Sequence, residues 1–406
     1  MKNQYNRTIN YPQAEYDRAE IVLMHEPEDE LSYGTFCPDA ALFKNYFYPE
    51  KAKNEHRQYQ QLLRDLGMEV YTLRQLLLKG CVDEAGQWID GEETERLRDL
   101  VASSLTTVAP EDDSIGLAAY KEKLIHDYSP NDVVRALLQQ PKIQLERTAI
   151  NTGVSAEYRV QPLMNLFYMR DQVITTSQGV VVGQMNSSQR MRECELVEFC
   201  LRKLGVKPIY RIEGKDAFLE GGDFMPMRYF DLINCGLRTT EGAIDQLMTN
   251  DLLGKNLLVV VHDGWKSQKQ MHLDTYFNVI DSDLVTLNAN RYHALPTDEK
   301  FLTVDVYMRR GVGDYQLISK NQPFVEFLTQ KGFDIIPISE QDEDMLGNNF
   351  LCIQGREIAM VAGRSEELKE ALRAKGVKVH WVTLDNLICG YGAAHCMTQV
   401  ISRKRL

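Results

Sequence analysis

The chain has 406 residues, of which 44% are hydrophobic and 26% charged, and a formal charge of −12 at pH 7. Those proportions belong to a globular protein with a large core and exclude a disordered chain. The acidic balance argues against nucleic acid or an anionic membrane surface as partner, because both demand a concentrated positive face. No apolar stretch follows Met1-Lys2-Asn3-Gln4-Tyr5 and no uninterrupted run could span a bilayer, so the chain reads as cytoplasmic.

In chain order, Ala19 to Met24 predicts a strand, and the apolar spacing from Lys51 to Leu66 predicts an amphipathic helix. From Val82 to Leu145 the sequence becomes charged and helix-forming, as in Glu92-Glu93-Thr94-Glu95-Arg96-Leu97. Asn131-Asp132-Val133-Val134-Arg135-Ala136-Leu137 has the form of an N-capped helix. This segment is expected to be a helical insertion, since long structureless loops are uncommon in compact domains. Val180-Val181-Val182, bracketed by glycines, predicts a strand, followed by a helix from Arg190 to Leu204 and a strand at Lys207-Pro208-Ile209-Tyr210. The alternation predicts an α/β fold, and closed α/β architectures reach this length as one unit.

Eight cysteines lie at 37, 81, 194, 200, 235, 352, 389 and 396, with no C-x-x-C pair or metal-like spacing. Most are expected to be reduced and structural. Cys396 stands apart in Gly390-Tyr391-Gly392-Ala393-Ala394-His395-Cys396-Met397-Thr398, where small residues would let a ligand approach and leave the thiol exposed. Taken alone, a buried structural cysteine is the commoner reading.

A weak repeat places Asp or Asn at the head of hydrophobic runs: Asp171-Gln172-Val173-Ile174, Asp223-Phe224-Met225-Pro226, Asp274-Thr275-Tyr276-Phe277 and Asn348-Asn349-Phe350-Leu351. Such a period suggests similar α/β units arranged radially or as a solenoid, with polar residues at the strand starts lining a central pocket. If Met271-His272-Leu273-Asp274 is a strand, His272 and Asp274 share a face. Leu219-Glu220-Gly221-Gly222-Asp223 sets two carboxylates about a Gly-Gly turn. Arg170-Asp171 by itself reads as a structural ion pair. Each of these motifs alone has an ordinary structural explanation.

Their combination is specific. N-L-x-x-x-R-D from Asn165, R-x-x-E from Arg190 to Glu193, L-E-G-G-D, Leu237-Arg238-Thr239-Thr240, M-H-L-D-T, Gly347-Asn348-Asn349 and H-C-M-T occur in one order. From about Asp39 to Thr398 the chain closely resembles the arginine deiminase family. The resemblance implies a fivefold pseudosymmetric α/β propeller, one catalytic domain over 1–406 with the helical insertion at 82–145 inside it. It implies Cys396 as nucleophile, His272 as general acid and base, and Glu220 as the carboxylate that orients His272. Asp171 and Asp274 would hold the substrate guanidinium, Arg190 and Arg238 its α-carboxylate, and Asn165 its amino-acid end. Carboxylates suit a planar cation with several donors, and guanidinium forks suit a carboxylate.

The implied reaction converts L-arginine and water to L-citrulline and ammonia through a covalent cysteine intermediate, with neither metal nor organic cofactor. The expected partner is a small guanidino or ureido amino acid, with no nucleic acid and no membrane, and a homo-oligomer is expected. His395 is expected to position its loop rather than act as base, and Arg403-Lys404-Arg405 to be a solvated terminus. The chain departs from the family pattern at Tyr391, where an arginine is usual, at Gln172, where proline is usual, at Gln399-Val400, and around Cys37 to Lys44. Tyr391 motivates an alternative, a related hydrolase of citrulline or a modified guanidine. An amidinotransferase fits the insertion and the arginine motifs poorly, and a non-catalytic amino-acid-binding protein would not require Cys396, His272 and Glu220 together.

Overall fold

A computed structural model describes residues 9–109, 114–150 and 152–405, so Met1 to Tyr5 lie outside the described residues. Strand Arg18–Met24 and helix Pro49–Asp65 form where the pattern predicts them. Pro49 opens the helix, where its missing N–H costs nothing, and Ala52, His56, Tyr59 and Leu63 are buried along one stripe.

Five of the six sheets among the described residues share one construction. A first strand pairs antiparallel with a second, and a helix then carries the chain to a third strand parallel to the second. One unit comprises Val173–Thr175, Val180–Val182, helix Glu193–Lys203 and Tyr210–Arg211. The next comprises Phe224–Met227, Phe230–Cys235, helix Glu241–Thr249 and Leu257–His262. A third has Phe277–Asp281, Leu284–Asn288, helix Phe324–Gln330 and Asp334–Ile338, and a fourth Leu351–Gln354, Glu357–Val361, helix Glu366–Ala374 and Lys378–Val382. The fifth joins both ends of the chain: Gln399–Lys404 runs antiparallel to Arg18–Met24, and helix Pro49–Asp65 leads to Glu69–Thr72.

Val180–Val182 and Phe224–Met227 are buried along their whole length, which is why they read as apolar runs rather than as alternating strands. Within the third unit the hairpin Thr303–Gly311 and Asp314–Pro323 interrupts the path to the helix and pairs instead with Leu257–His262 of the second. This hairpin lengthens the third interval of the sequence repeat.

The repeat itself has a structural meaning. Asp171, Asp223, Asp274, Asn349 and the His395-Cys396 pair all occupy the segment leading into the first strand of their own unit.

Several local expectations are corrected. Met271 to Asp274 is not a strand: Leu273–Thr275 is a 3-10 turn with His272 at its N-cap, and the Thr275 hydroxyl donates to the His272 carbonyl at 2.6 Å. The same-face argument for His272 and Asp274 therefore does not apply. The helix after Val180–Val182 begins at Glu193, behind a 3-10 turn at Ser188–Arg190. The parallel strand is confined to Tyr210–Arg211, because Pro208 has no N–H for a ladder. Between residues 82 and 145 lie helices Glu92–Ser104, Ser114–Asp127 and Pro130–Gln139, but also Thr106–Val108 and Pro141–Arg147, which form a sheet with Val154–Val160. The cap of the last helix is Ser129 rather than Asn131, in a reciprocal pair with Asp132.

Arg403 is not part of a solvated terminus. It is buried, and its guanidinium donates to the Asp17 and Cys352 carbonyls and to Glu15 at 2.7 to 2.8 Å. The final strand, Gln399–Lys404, is buried over all but its last residue, so only Lys404 and Arg405 are exposed. No helix among the described residues is long and apolar enough to cross a membrane.

Candidate active site

The segment ahead of Gln399–Lys404 holds Cys396. The expectation of an exposed thiol is not met: Cys396 is 4% exposed, and Ala393, Ala394 and His395 are fully buried. The small residues serve close packing. A Cβ on Gly390 would lie 2.1 Å from the Tyr168 hydroxyl oxygen, and one on Gly392 2.6 Å from the Tyr168 ring. The Tyr59 hydroxyl fixes the loop from the helix side by donating to the Ala394 carbonyl at 3.0 Å.

Asn349 holds this loop from the other side. Its amide oxygen accepts from the backbone N–H of Ala393 at 2.8 Å and of Cys396 at 3.1 Å. Its amide nitrogen donates to the Asp274 carbonyl at 3.1 Å and to Cys396 Sγ at 3.0 Å. The Gly347-Asn348-Asn349 motif contains Asn349 but gave it no role. The signal available was its place in the repeat, one unit ahead of the cysteine and equivalent to Asp171 and Asp274.

Across the site, His272 Nε2 lies 2.8 Å from Glu220 Oε2, and its Nδ1 is 3.7 Å from Asp171 Oδ1. Burial opposes a charge on this imidazole. Asp171, Asp223 and Glu220 outweigh it and push the histidine from 6.5 up to about 10. Glu220 is held down at about 2: burial acts against ionisation, and His272, Arg238 and Arg190 overcome it. Its other oxygen accepts from the backbone N–H of Asn186 at 2.9 Å.

The Gly-Gly pair is explained by space rather than by an unusual backbone. A Cβ on Gly221 would sit 2.0 Å from the Arg170 carbonyl oxygen, and one on Gly222 2.9 Å from His272 Cγ. Asp223, the second carboxylate of that motif, supports the frame. It accepts from Leu273 N–H at 3.0 Å and from the Asn234 amide at 2.8 Å, so it anchors the turn that carries His272 and Asp274.

Asp171 and Asp274 are buried and half-satisfied. Asp171 Oδ2 accepts from Arg190 at 2.8 Å, and Asp274 Oδ2 contacts His395 Nδ1 at 2.7 Å, while Oδ1 of each has no hydrogen-bond partner. The Cys396 thiol donates toward Asp274 Oδ2 at 3.4 Å. Burial, then Asp274 and Asp171, holds this thiol well above the ordinary cysteine range in the free protein. His395 lies between Asp274 and Glu15, whose carboxylate is 3.3 Å from its Nε2 and also bonds Arg403. His395 thus joins Asp274 to Glu15 behind the loop that carries Cys396. Arg170 and Asp171 do not pair with each other: Arg170 points to Glu15 at 3.6 Å and Asp171 to Arg190.

The residues expected at the amino-acid end are placed less uniformly. Arg190 is buried and engaged by both Glu193 oxygens at 2.9 to 3.1 Å as well as by Asp171. The Asn165 amide donates to the Ala41 carbonyl at 3.0 Å. Arg238 donates to Gln268 at 2.9 Å and keeps a buried Nε without a partner. Gln172 donates to Glu193 at 2.7 Å and so steadies the anchor of Arg190. Asp171, Glu220 and His272 offer atoms within 4.8 Å of one another, a spacing compatible with a cation. The Arg190 guanidinium, 2.8 Å from Asp171 and 4.0 Å from Glu220, already supplies positive charge there.

Comparison with known proteins follows the same lines. The family model for arginine deiminase matches residues 39–403. Arginine deiminase from Staphylococcus haemolyticus is 27% identical over 420 residues, covering 96% of this chain and 97% of that protein. The enzyme of the same name from Clostridium perfringens is 26% identical over 443 residues, covering 99% of each. Among solved structures, dimethylarginine dimethylaminohydrolase from Pseudomonas aeruginosa, complexed with citrulline, is similar with a TM-score of 0.54 at 14% identity, over 96% of this chain and all of that one. The N-terminal domain of a cyanobacterial arginine dihydrolase, bound to product, gives a TM-score of 0.54 at 11% identity over 95% and 98% of the two chains. The structures speak to the α/β fold, and the model matched over nearly the whole sequence speaks to descent: the chain belongs to the arginine deiminase family.

Proposed function

We propose that the protein hydrolyses the guanidino group of an amino acid through a covalent intermediate on Cys396, converting L-arginine and water to L-citrulline and ammonia. The observation that carries this reading is the pair of unpartnered buried oxygens, Oδ1 of Asp171 and Oδ1 of Asp274, beside a thiol and an imidazolium. Buried acceptors are left open where a ligand fills them, and two carboxylates fit the N–H groups of one guanidinium.

The electrostatics give the reaction its order. In the free protein His272 carries a proton and Cys396 keeps its own. A guanidinium held between Asp171 and Asp274 offsets the two charges that keep the thiol protonated, so substrate binding releases the thiol proton to solvent and leaves the thiolate. Asn349 supports the sulfur through its amide N–H. The thiolate forms a bond to the guanidinium carbon, and His272 delivers its proton to a terminal nitrogen. That C–N bond breaks, ammonia departs, and an amidino thioether remains on Cys396. Neutral His272 then takes a proton from water as its oxygen bonds the same carbon. The C–S bond breaks, the adduct's remaining hydroxyl proton passes to the departing sulfur, and the neutral ureido product is released. Glu220 keeps the imidazole oriented through both stages.

We infer further that the five repeats close into a fivefold pseudosymmetric α/β propeller, with 82–145 as an insertion in a single domain. The pairing of strands from the two ends of the chain within one unit and the five equivalent segments that supply the site support this arrangement. The test is incubation of the purified protein with L-arginine, with products identified by mass spectrometry. Citrulline and ammonia in equal amounts are expected, with none from Cys396→Ala. Absence of both citrulline and any adduct on Cys396 would overturn the proposal.

A further inference from the structure

A cavity of about 450 Å³ adjoins the site, lined among others by Lys44, Trp265, Gln268, Lys300 and Tyr391. Its volume is that of a pocket for a small molecule. None of Cys396, His272, Asp171, Asp274 and Arg190 lines it, so a guanidinium seated on those groups leaves it unfilled. Two connections join it to the site. Gln268 accepts from Arg238, and Tyr391 belongs to the thiol loop, where it holds a left-handed backbone at φ 66° between two glycines packed on Tyr168.

The neighbouring groups define what the cavity suits. Of the three residues expected to read the α end of the substrate, Arg190 is spent on Glu193 and Asp171, and Asn165 on the Ala41 carbonyl. Arg238 alone borders the cavity, through Gln268, and it retains an unpartnered Nε. Lys44, Lys269 and Lys300 supply ammonium donors, and Lys300 lies 4.8 Å from the centre of the Trp265 ring. The amide oxygens of Gln270 and Asn288 are committed to Arg291 Nε and to backbone N–H groups, which leaves their NH₂ groups for a ligand. A donor-rich wall beside an indole suits a carbonyl-bearing chain. Glu340 and Asp344 offset two of the three ammonium groups, while burial pushes the Glu343 carboxyl from 4.5 up to about 8; the small positive balance that remains disfavours a polyanion.

We infer that the site accepts arginine bearing a small neutral amide-linked substituent at its α-carboxyl or α-amino end, with the cavity holding that substituent. This rests on the guanidino hydrolysis proposed above. The uncharged Tyr391 side chain fits it, since a substituted α end needs fewer cationic partners.

The test compares kcat/KM for L-arginine, L-arginine amide, Nα-acetyl-L-arginine and glycyl-L-arginine, in the parent and in Asn290→Trp, which narrows the cavity from its wall. At least one substituted compound is expected to match or exceed free arginine, and Asn290→Trp is expected to lower the ratio of that compound to free arginine by about tenfold. If free arginine is hydrolysed and every substituted form falls about tenfold or more below it, the inference is wrong and the hydrolytic reading stands. An unchanged ratio in Asn290→Trp would also overturn the inference. If none of the four compounds is hydrolysed, the hydrolytic reading itself fails.

Discussion

Replacing Glu220 with glutamine tests the electrostatic design of the site directly, because the side chain keeps its shape and loses its charge. His272 titrates at about 10 in place of 6.5, a shift on the order of 5 kcal/mol in favour of the imidazolium, supplied against burial by Asp171, Asp223 and Glu220. Glu220 is 2.8 Å away, and at an effective dielectric of about 20 a charge pair at that distance interacts by about 6 kcal/mol. The glutamine oxygen would restore a neutral hydrogen bond of about 1 kcal/mol. His272 in Glu220→Gln is therefore expected to titrate at least about 2 units lower. The assay is an NMR titration of histidine-labelled protein in a Cys396→Ala background. The sign for stability follows from both partners. The raised histidine contributes fully below 6.5 and loses its contribution as pH rises through about 10, while the lowered glutamate contributes fully above 4.5 and loses it as pH falls through about 2. The loss of thermal stability in the variant is accordingly expected to be greatest between pH 4.5 and 6.5. A parent histidine titrating near its ordinary value, or a variant shifted by less than about half a unit, would refute the reasoning.

Asp274→Asn removes one of the carboxylates that hold Cys396 protonated, so iodoacetamide is expected to alkylate Cys396 at pH 8 about tenfold faster than in the parent while guanidino hydrolysis is lost; mass spectrometry of the thiol reads the rate. Asn349→Ala deletes the donor to Sγ and the acceptor for two backbone N–H groups, and kcat is expected to fall about 100-fold or more in steady-state kinetics, with a smaller change in KM. Gly221→Ala forces a Cβ to within 2.0 Å of a carbonyl oxygen and is expected to cost about 3 kcal/mol in thermal or denaturant unfolding. Gly376→Ala, with φ +69° and open space about its Cβ position, is expected to cost about 1 kcal/mol in the same experiment.

Much of the candidate site was legible because its motifs occur together in one order, although each alone has an ordinary structural explanation. Asp171, Asp223, Asp274 and Asn349 mark the start of each unit in the sequence as they do in space. The geometry that relates them was not legible. His272 and Asp274 diverge from a 3-10 turn, and the apparent strand alternation was an accident of four residues. The thiol's burial was hidden because glycine and alanine are as consistent with an open loop as with a tightly packed one, and only the nearness of Tyr168 decides between them. An asparagine that holds a thiol loop, as Asn349 does, has no composition signal, since amides are common at turns for their own local hydrogen bonds. Arg403 looked like a solvated terminus because three consecutive cations carry no information about the strand that contains one of them. Its burial depends on Glu15, nearly the whole chain away.

The sheet that joins the two ends of the polypeptide also bears on when the thiol becomes dangerous. Cys396 sits just ahead of Gln399–Lys404, and that strand has its partner in Arg18–Met24, far earlier in the chain. A nascent chain can build the four intervening units, with Asp171, Glu220 and His272 in place, before Cys396 has been translated. Completion of the candidate site therefore waits for Cys396 and the strand behind it, and a chain that stops short of Cys396 is expected to be inert toward guanidino compounds rather than partially active.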